Sequence, residues 1–420
     1  MRLDRGCGGN MHIVQVSKAS RSGGGASNVA EMLRAGLEAR GIRSSHYARH
    51  PGNASSGTHT LSWQGILLRP AEKLLHGIGR IAGLPYVVPT EYPALRRLAS
   101  QPETLFHFHD LSGALSALTL HLLADHAPVI WTLHDCSPIT GGCLYPLDCT
   151  RYLEHCGECP QAGTWPLNTL RDGTAQARSL QRWVHRQRRI HYVSPSRWLA
   201  SLARSCGAID EIAVIPNGVD VDAFQPSLRR DELRAALGIP QGRCAVLISA
   251  SYLKDRRKGA DEARQVLRAL PAGQRPFVLL VGHGTAEDLA SFQEFDYRHF
   301  GYVDNNLRLR DFYAAADVYL NCTIADNFPL SVLEALACGT PVLGFRTGGI
   351  PEIVREGTCG ALVEPGDVAG LAKLLGHYLQ GRVGSDWREQ ARRHVAQNFS
   401  LERQINTHIE LYRDLLGSRS

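Results

Sequence analysis

The sequence predicts an α/β protein of two similar domains, each a parallel sheet covered by helices on both faces. Three observations carry this expectation. The chain has 420 residues, more than one ordinary core accommodates and enough for two domains of about 200 each. Short β-branched runs alternate with helical stretches along nearly the whole chain, and the pattern occurs twice. Between the two series lies IPNGVDVDAF at 215–224, whose proline, Asn-Gly turn and lack of helix formers read as a connection.

Taken in order, HIVQVS precedes a helix expected from about Ala26 to Arg40, and TLFHFHD precedes one near Gly113 to Asp125. APVIWTLHD and RIHYVSPS follow the same rule. The second series is CAVLISAS, FVLLVGHG, DVYLNCT, PVLGFR and GALVEP, each followed by a loop or helix. Such continuous apolar strands belong in sheets buried on both faces. The expected boundaries are 11–210 for the first domain, with a cysteine-rich insert at 136–160, then 211–395 for the second and 396–420 for a closing helix that returns to the first. Residues 1–10, ahead of Met11 and the first apolar strand, stand outside this expectation. Two such domains side by side enclose a cleft, with ligands at the carboxyl ends of the strands.

No apolar run approaches the roughly 18–20 residues that span a bilayer, and the opening residues lack the pattern of a signal peptide, so the cytoplasm is the expected compartment. The net charge of +6 is unevenly divided, with 22 Lys/Arg against 15 Asp/Glu in residues 1–215 and 24 against 25 in the remainder. A first half at +7 and a second at −1 point to an anionic partner for the first half, either a phosphate-bearing acceptor or the inner face of the cytoplasmic membrane; the alternative is a solvated basic surface. No nucleic-acid partner is expected.

Several motifs fall where such sheets bind ligands. Gly23, Gly24 and Gly25 lie between a strand and a helix, where bare backbone N–H groups let an anion or a sugar approach. The spacing is not G-x-G-x-x-G, and a simple flexible turn is the alternative. In FHFHD, His107 and His109 share one strand face, and His109, nearer the carboxyl end, is the candidate for contact with a reacting group. His134 and Asp135 repeat the design in TLHD. In YLKDRRKG, Arg256, Arg257 and Lys258 follow a strand and can reach a phosphate, with Lys258 as a point charge. In ADNFPLSVLEALACGTPV, Pro329 suits a first helical turn and Val332, Leu333, Leu336 and Ala337 supply a buried stripe. Asp326 then lies just before the helix and Glu334 one turn inside it. A phosphate at this helix N-terminus would have a carboxylate to either side, one for ribose hydroxyls and one for a hexose.

The D-x7-E run followed by ALACGTPVLGF and GGIPEIV resembles the donor signature of the retaining GT-B glycosyltransferases of family GT4. GGG, HFHD, PNGVD, RRKG, LVGHG and EPGD extend that resemblance along nearly the whole chain. It implies a GT-B fold, a nucleotide-diphosphate sugar donor, and a glycan or lipid-linked glycan acceptor. It implies that Glu334 holds the ribose, Asp326 the hexose and Lys258 the pyrophosphate. Arg257, Gly282, Asn327, Leu330 and Ser331 complete the donor site, and His109 is the active-site histidine near the reacting sugar. The sequence departs from the family twice: the first acid is Asp326 rather than Glu, and Tyr252 stands where an Arg is usual, so that Lys254 or Arg256 must compensate. The signature region offers no D-x-D pair to hold Mg²⁺, and no cofactor is expected to be required for catalysis.

Cys143, Cys149, Cys156 and Cys159 are spaced C-x5-C-x6-C-x2-C. Four thiolates at such spacing suit a structural Zn²⁺, with reduced thiols or redox disulfides as the alternatives. A similar insert follows TLHD in glycosyltransferases of colanic-acid and related exopolysaccharide assembly. Residues 61–84 mix Trp63, Ile66, Leu67, Leu74, Leu75, Ile78 and Ile81 with Arg69, Lys73 and Arg80. A core-facing helix is the favoured account of them, with peripheral membrane association kept because of the basic first half.

Overall fold

A computed structural model describes residues 11–20, 23–51, 57–63, 68–84, 86–381, 384 and 386–417. Ile66 and Leu67 lie outside the described residues. The chain divides into two compact units, Met1–Pro216 with Ile405–Ser420, and Asn217–Gln404. The division falls inside IPNGVDVDAF, and the last helix, Leu401–Gly417, crosses from the second unit into the first.

The described residues of the first unit form seven strands: β1 His12–Ala19, β2 Arg43–His50, β3 Thr58–Thr60, β4 Thr104–Phe108, β5 Val129–Thr132, β6 His191–Ser194 and β7 Ala213–Val214. Their order is β3-β2-β1-β4-β5-β6-β7 and every pairing is parallel. Strands β1, β4 and β5 are buried along almost their whole length, as their apolar runs require. The sequence pattern does not announce β2, RSSHYARH, because its inward positions are polar. They are accepted because each is paired. His46 bonds Ser17 Oγ at 2.8 Å and Glu31 Oε2 at 3.2 Å, and Arg49 bonds Glu72, Glu91, Thr90 and the Ala114 carbonyl.

That Arg49 network turns the helix Leu68–Ile81 the other way from the core-facing orientation expected. Glu72 and Gly79 are its buried residues, since Glu72 must meet the buried guanidinium of Arg49. Leu68, Leu74, Ile78 and Ile81 are each more than half exposed, on a surface that also carries Arg69, Lys73 and Arg80.

The second unit is a six-stranded parallel sheet: β8 Ala245–Tyr252, β9 Phe277–His283, β10 Tyr297–His299, β11 Val318–Asn321, β12 Val342–Phe345 and β13 Gly360–Val363, in the order β10-β9-β8-β11-β12-β13. Two buried apolar clusters cover its faces, one around Leu247, Leu279, Tyr319 and Leu336, the other around Val246, Leu280, Leu320 and Leu371. The helix that carries Glu334 runs from Leu330 to Ala337, and Pro329 stands at its N-cap rather than in its first turn. The helix buries Val332, Leu333, Leu336 and Ala337, the stripe expected from the sequence.

Candidate functional site

The donor candidates converge at the carboxyl ends of β8 and β11. β8 leads into a short 3₁₀ turn, Arg256–Lys258, held because Asp255 accepts a bond from the Arg257 N–H. Gly259 closes that turn with φ +71°, and a Cβ there would lie 1.8 Å from the Cys322 carbonyl oxygen. Only glycine fits both constraints. The turn thus packs against the end of β11, and Lys258 Nζ reaches Asp326 Oδ2 at 2.6 Å. The loop bearing Asp326 is fixed from two sides. Asn217 Nδ2 donates to the Phe328 carbonyl at 3.0 Å, and Gly348 presses so close that a Cβ on it would meet the Asp326 carbonyl oxygen at 1.7 Å.

Glu334 lies one turn inside the helix, where the hydroxyl of buried Tyr313 donates to its Oε2 at 3.1 Å. Burial pushes the Glu334 carboxyl up to about 7, against the smaller opposing effect of the Tyr313 bond. Tyr319 donates to Ser331 Oγ at 3.2 Å in the first turn of the same helix. Among the described residues no side chain caps that helix, which leaves its N-terminus the favourable place for an anion. Lys258, Asp326, Leu330, Ser331 and Glu334 are therefore brought together, and Asn327 is buried beside them.

Two other expected donor residues are engaged elsewhere. Arg257 Nη2 pairs with Asp255 at 2.6 Å, and Gly282, at φ +141°, permits close approach of β9 to the Ala250 carbonyl, which a Cβ would meet at 1.9 Å. Tyr252, in the place of the usual Arg, forms a stack with His283 and Tyr302, at ring-centroid spacings of 4.9 and 4.7 Å. Sequence reasoning missed Tyr313, Tyr319 and this stack, because aromatic residues in buried strands and helices read simply as core.

In the first unit, His107 and His109 do share a face, with ring centroids 4.1 Å apart. Both are buried, and burial holds both imidazoles neutral, well below the ordinary histidine range. His109 Nε2 donates to Gln15 Oε1 at 2.7 Å, so its Nδ1 is the acceptor for His134 Nε2 at 3.1 Å. Both nitrogens of His109 are thus occupied, and His134 is the partly exposed end of the chain. Gly23, Gly24 and Gly25 follow β1. Gly24, at φ +98°, is the N-cap of the helix Gly25–Glu38, and a Cβ on Gly24 or Gly25 would meet nothing within 4 Å.

Cys143, Cys149, Cys156 and Cys159 all line one cavity of about 20 Å³, room for a single water-sized particle. The donor set has the right chemistry for zinc. Among the described residues, however, no group of three or more His, Cys, Asp or Glu has closed to metal-holding geometry. Burial pushes the Cys143 thiol up to about 12 and raises those of Cys156 and Cys159.

The electrostatics of Glu334 give a test. A carboxyl raised from its ordinary value to about 7 contributes stability that is fully present below about 4.5 and is lost as pH rises through 7. Glu334→Gln removes that loss. That loss is roughly 3 kcal/mol, so the variant is expected to melt about 6–12 °C above the parent at pH 8 and level with it at pH 4.5, in thermal denaturation at both values.

Residues 23–223 match the family described as Glycosyltransferase Family 4, and residues 244–380 match Glycosyl transferases group 1. A D-inositol 3-phosphate glycosyltransferase of Acidothermus cellulolyticus is 30% identical over 225 residues, 50% of this chain and 49% of that protein. The chain thus spans about half the length of the curated relatives it matches. Among solved structures, sucrose-phosphate synthase of Thermosynechococcus elongatus superposes with a TM-score of 0.71 at 21% identity, covering 97% of this chain and 100% of that one. HepE of Anabaena in complex with UDP gives 0.69 at 16% identity, covering 96% and 100%. These likenesses establish two parallel-sheet domains of the GT-B fold, and with the matches to each half they place the chain in the group 1 glycosyltransferases, family GT4.

Proposed function

We propose that this protein transfers a hexose from a nucleotide-diphosphate sugar to a hydroxyl of a glycan, with retention of anomeric configuration, in the assembly of a surface or exopolysaccharide. The observation that carries the reading is the Lys258–Asp326 pair, 2.6 Å apart, at the uncapped N-terminus of the helix that bears Glu334. In this reading an arriving diphosphate replaces Asp326 as the partner of Lys258 and meets the backbone N–H groups of Leu330 and Ser331. Asp326, released, accepts hydrogen bonds from the hexose, and Glu334 accepts them from the ribose. Lys258 and the helix N-terminus then stabilise charge developing on the leaving diphosphate. Positioning of the acceptor hydroxyl supplies the rest. His109, with both nitrogens bonded, serves as a positioning residue for His134 rather than as a group that touches substrate. No cofactor is needed for these steps. A UDP-bound structural neighbour supports the donor class; the exopolysaccharide role rests on the insert after TLHD.

A nucleotide-sugar epimerase or a non-catalytic sugar-nucleotide-binding scaffold are the rivals on this fold. Incubation with donor alone separates them, since an epimerase changes the sugar without any acceptor and a scaffold changes nothing with one.

The exposed face of Leu74, Ile78 and Ile81 beside Arg69, Lys73 and Arg80 supports peripheral contact of the first unit with an anionic membrane. No helix among the described residues is long and apolar enough to cross one. A lipid-linked glycan would be presented at such a surface, on the inner face of the cytoplasmic membrane. The cysteine cavity supports a structural zinc, which Cys143, Cys149, Cys156 and Cys159 would hold as thiolates.

Three measurements follow. Glu334→Ala should weaken UDP-glucose binding by at least about tenfold in calorimetry, because hydrogen bonds to a charged acceptor are worth roughly 1.5–3 kcal/mol each, whereas Asp326→Asn should lower turnover more than binding; unchanged binding in the first variant removes the ribose role. Sedimentation with phosphatidylglycerol vesicles should show binding that weakens with salt and is lost in an I78D/I81D variant; indifference to vesicles at low salt ends the membrane reading. Protein expressed with zinc should contain about one metal per chain, and Cys156→Ser should lower both metal content and melting temperature; metal-free protein of full stability would exclude the zinc.

A further inference from the structure

The carboxyl edge of the first sheet carries a set of side chains that the donor chemistry leaves unused. Three adjacent strands deliver them. Lys18 stands near the end of β1, Asp110 and Ser112 follow β4, and His134, Asp135 and Ser137 follow β5. The set is tied together: Lys18 Nζ pairs with Asp110 Oδ2 at 2.8 Å, and the Ser112 N–H donates to Asp110 Oδ1 at 3.0 Å. The Ser112 hydroxyl reaches Asp135 Oδ2 at 3.3 Å, and the Ser137 N–H donates to Asp135 Oδ1 at 2.7 Å.

Beside this set stands Trp165, 54% exposed. The Lys18 ammonium lies 4.7 Å from its ring centroid, and a Cβ on Gly113 would meet its Nε1 at 3.4 Å. The indole is therefore held in place by a cation and by backbone, while much of its surface remains open to water. A large aromatic side chain both fixed and exposed is the kind of surface that a ligand covers. A rigid indole offers a π face to the axial C–H groups of a sugar ring, at little cost in side-chain entropy. Asp135, partly exposed, receives two donors from the protein and keeps lone pairs for more.

The charge of the set selects among acceptors. It holds one ammonium against two carboxylates, and the adjoining imidazole adds nothing, because burial lowers His134 to about 4. Burial and the neighbouring Asp110 push the Asp135 carboxyl up to about 6, so at neutral pH it still carries its charge. Such an edge repels a phosphate or carboxylate and welcomes hydroxyl donors.

We infer that this edge binds a neutral pyranose ring of the acceptor, stacked on Trp165 with hydroxyls bonded to Asp135 and Lys18. The inference rests on the glycosyltransferase reading and names the chemistry of its acceptor: a neutral sugar ring here, rather than a small anion. Any anionic group the acceptor carries must meet the unit's basic surface elsewhere.

The test uses the full chain and saturation-transfer NMR with neutral gluco-, galacto-, manno- and N-acetylglucosamine oligosaccharides, alongside inositol 3-phosphate and L-malate as anionic probes. At least one neutral saccharide should bind. Trp165→Ala should weaken it by at least about tenfold, as truncation of a buried aromatic anchor does, whereas Trp165→Phe keeps most of the stacking and should stay within about threefold. Asp135→Asn should also weaken it. The inference is overturned if no neutral saccharide binds, if binding ignores Trp165→Ala, or if an anionic probe binds at Trp165 in preference. Titration of the same samples with UDP-glucose reads the second unit, so failure of the donor reading and failure of this one are seen separately.

Discussion

The carboxylate of Glu334, held one turn inside a helix whose N-terminus no side chain caps, is the constraint around which the second unit is arranged. Burial disfavours its charge, and among the described residues the one hydroxyl that opposes that cost is that of Tyr313. A sheet core that tolerated no polar group would place an apolar residue there. Instead Tyr313 and Tyr319 spend their hydroxyls on Glu334 and Ser331, and the loops around Asp326 and Lys258 are clamped by glycines at which any side chain would strike a carbonyl oxygen. Rigid loops and an under-satisfied acid together describe a site prepared for a ligand, at some cost in stability.

The first unit rests on the opposite solution. Several of its largest interior polar groups are paired: Arg49 among Glu72, Glu91 and Thr90, His46 between Ser17 and Glu31, and His107 between Thr132 and Tyr412 of the terminal helix. That helix is locked to the unit at a second point, where Ile405 lies so close to Gly36 that a Cβ there would meet it at 2.1 Å. The network has consequences at the surface. By drawing Glu72 inward it turns apolar residues outward, and by engaging both nitrogens of His109 it leaves His134, Asp135, Lys18 and Trp165 as the groups that face the solvent. Interior pairing thus decides which side chains are available for recognition.

Most of the architecture was legible in the sequence because parallel strands buried on both faces are unbroken apolar runs, and nine of the thirteen strands among the described residues announce themselves so. The four that do not are β2, whose inward positions are polar and paired, and the short edge strands β3, β7 and β10, which have too few residues to show a pattern. Asp326 and Glu334 were legible because Pro329 and the apolar stripe that follows it fixed their places relative to one helix N-terminus, and Lys258 because YLKDRRKG sets it just after a strand. The orientation of the helix Leu68–Ile81 was not, since its inward face is set by Arg49, on a different element and 23 positions from Glu72. Trp165 was equally silent, because exposure cannot be read from an isolated aromatic residue in a loop.

The central claim is that Glu334 must ionise to hold the ribose of the donor. Calorimetric titration of the full chain with UDP-glucose at pH 6.5, in buffers of differing ionisation enthalpy, counts the protons exchanged on binding. A carboxyl near 7 in the free protein that accepts hydroxyl hydrogen bonds in the complex should release a large fraction of one proton, and Glu334→Gln should abolish the release. Binding with no proton exchange, or with proton uptake, would contradict the assignment.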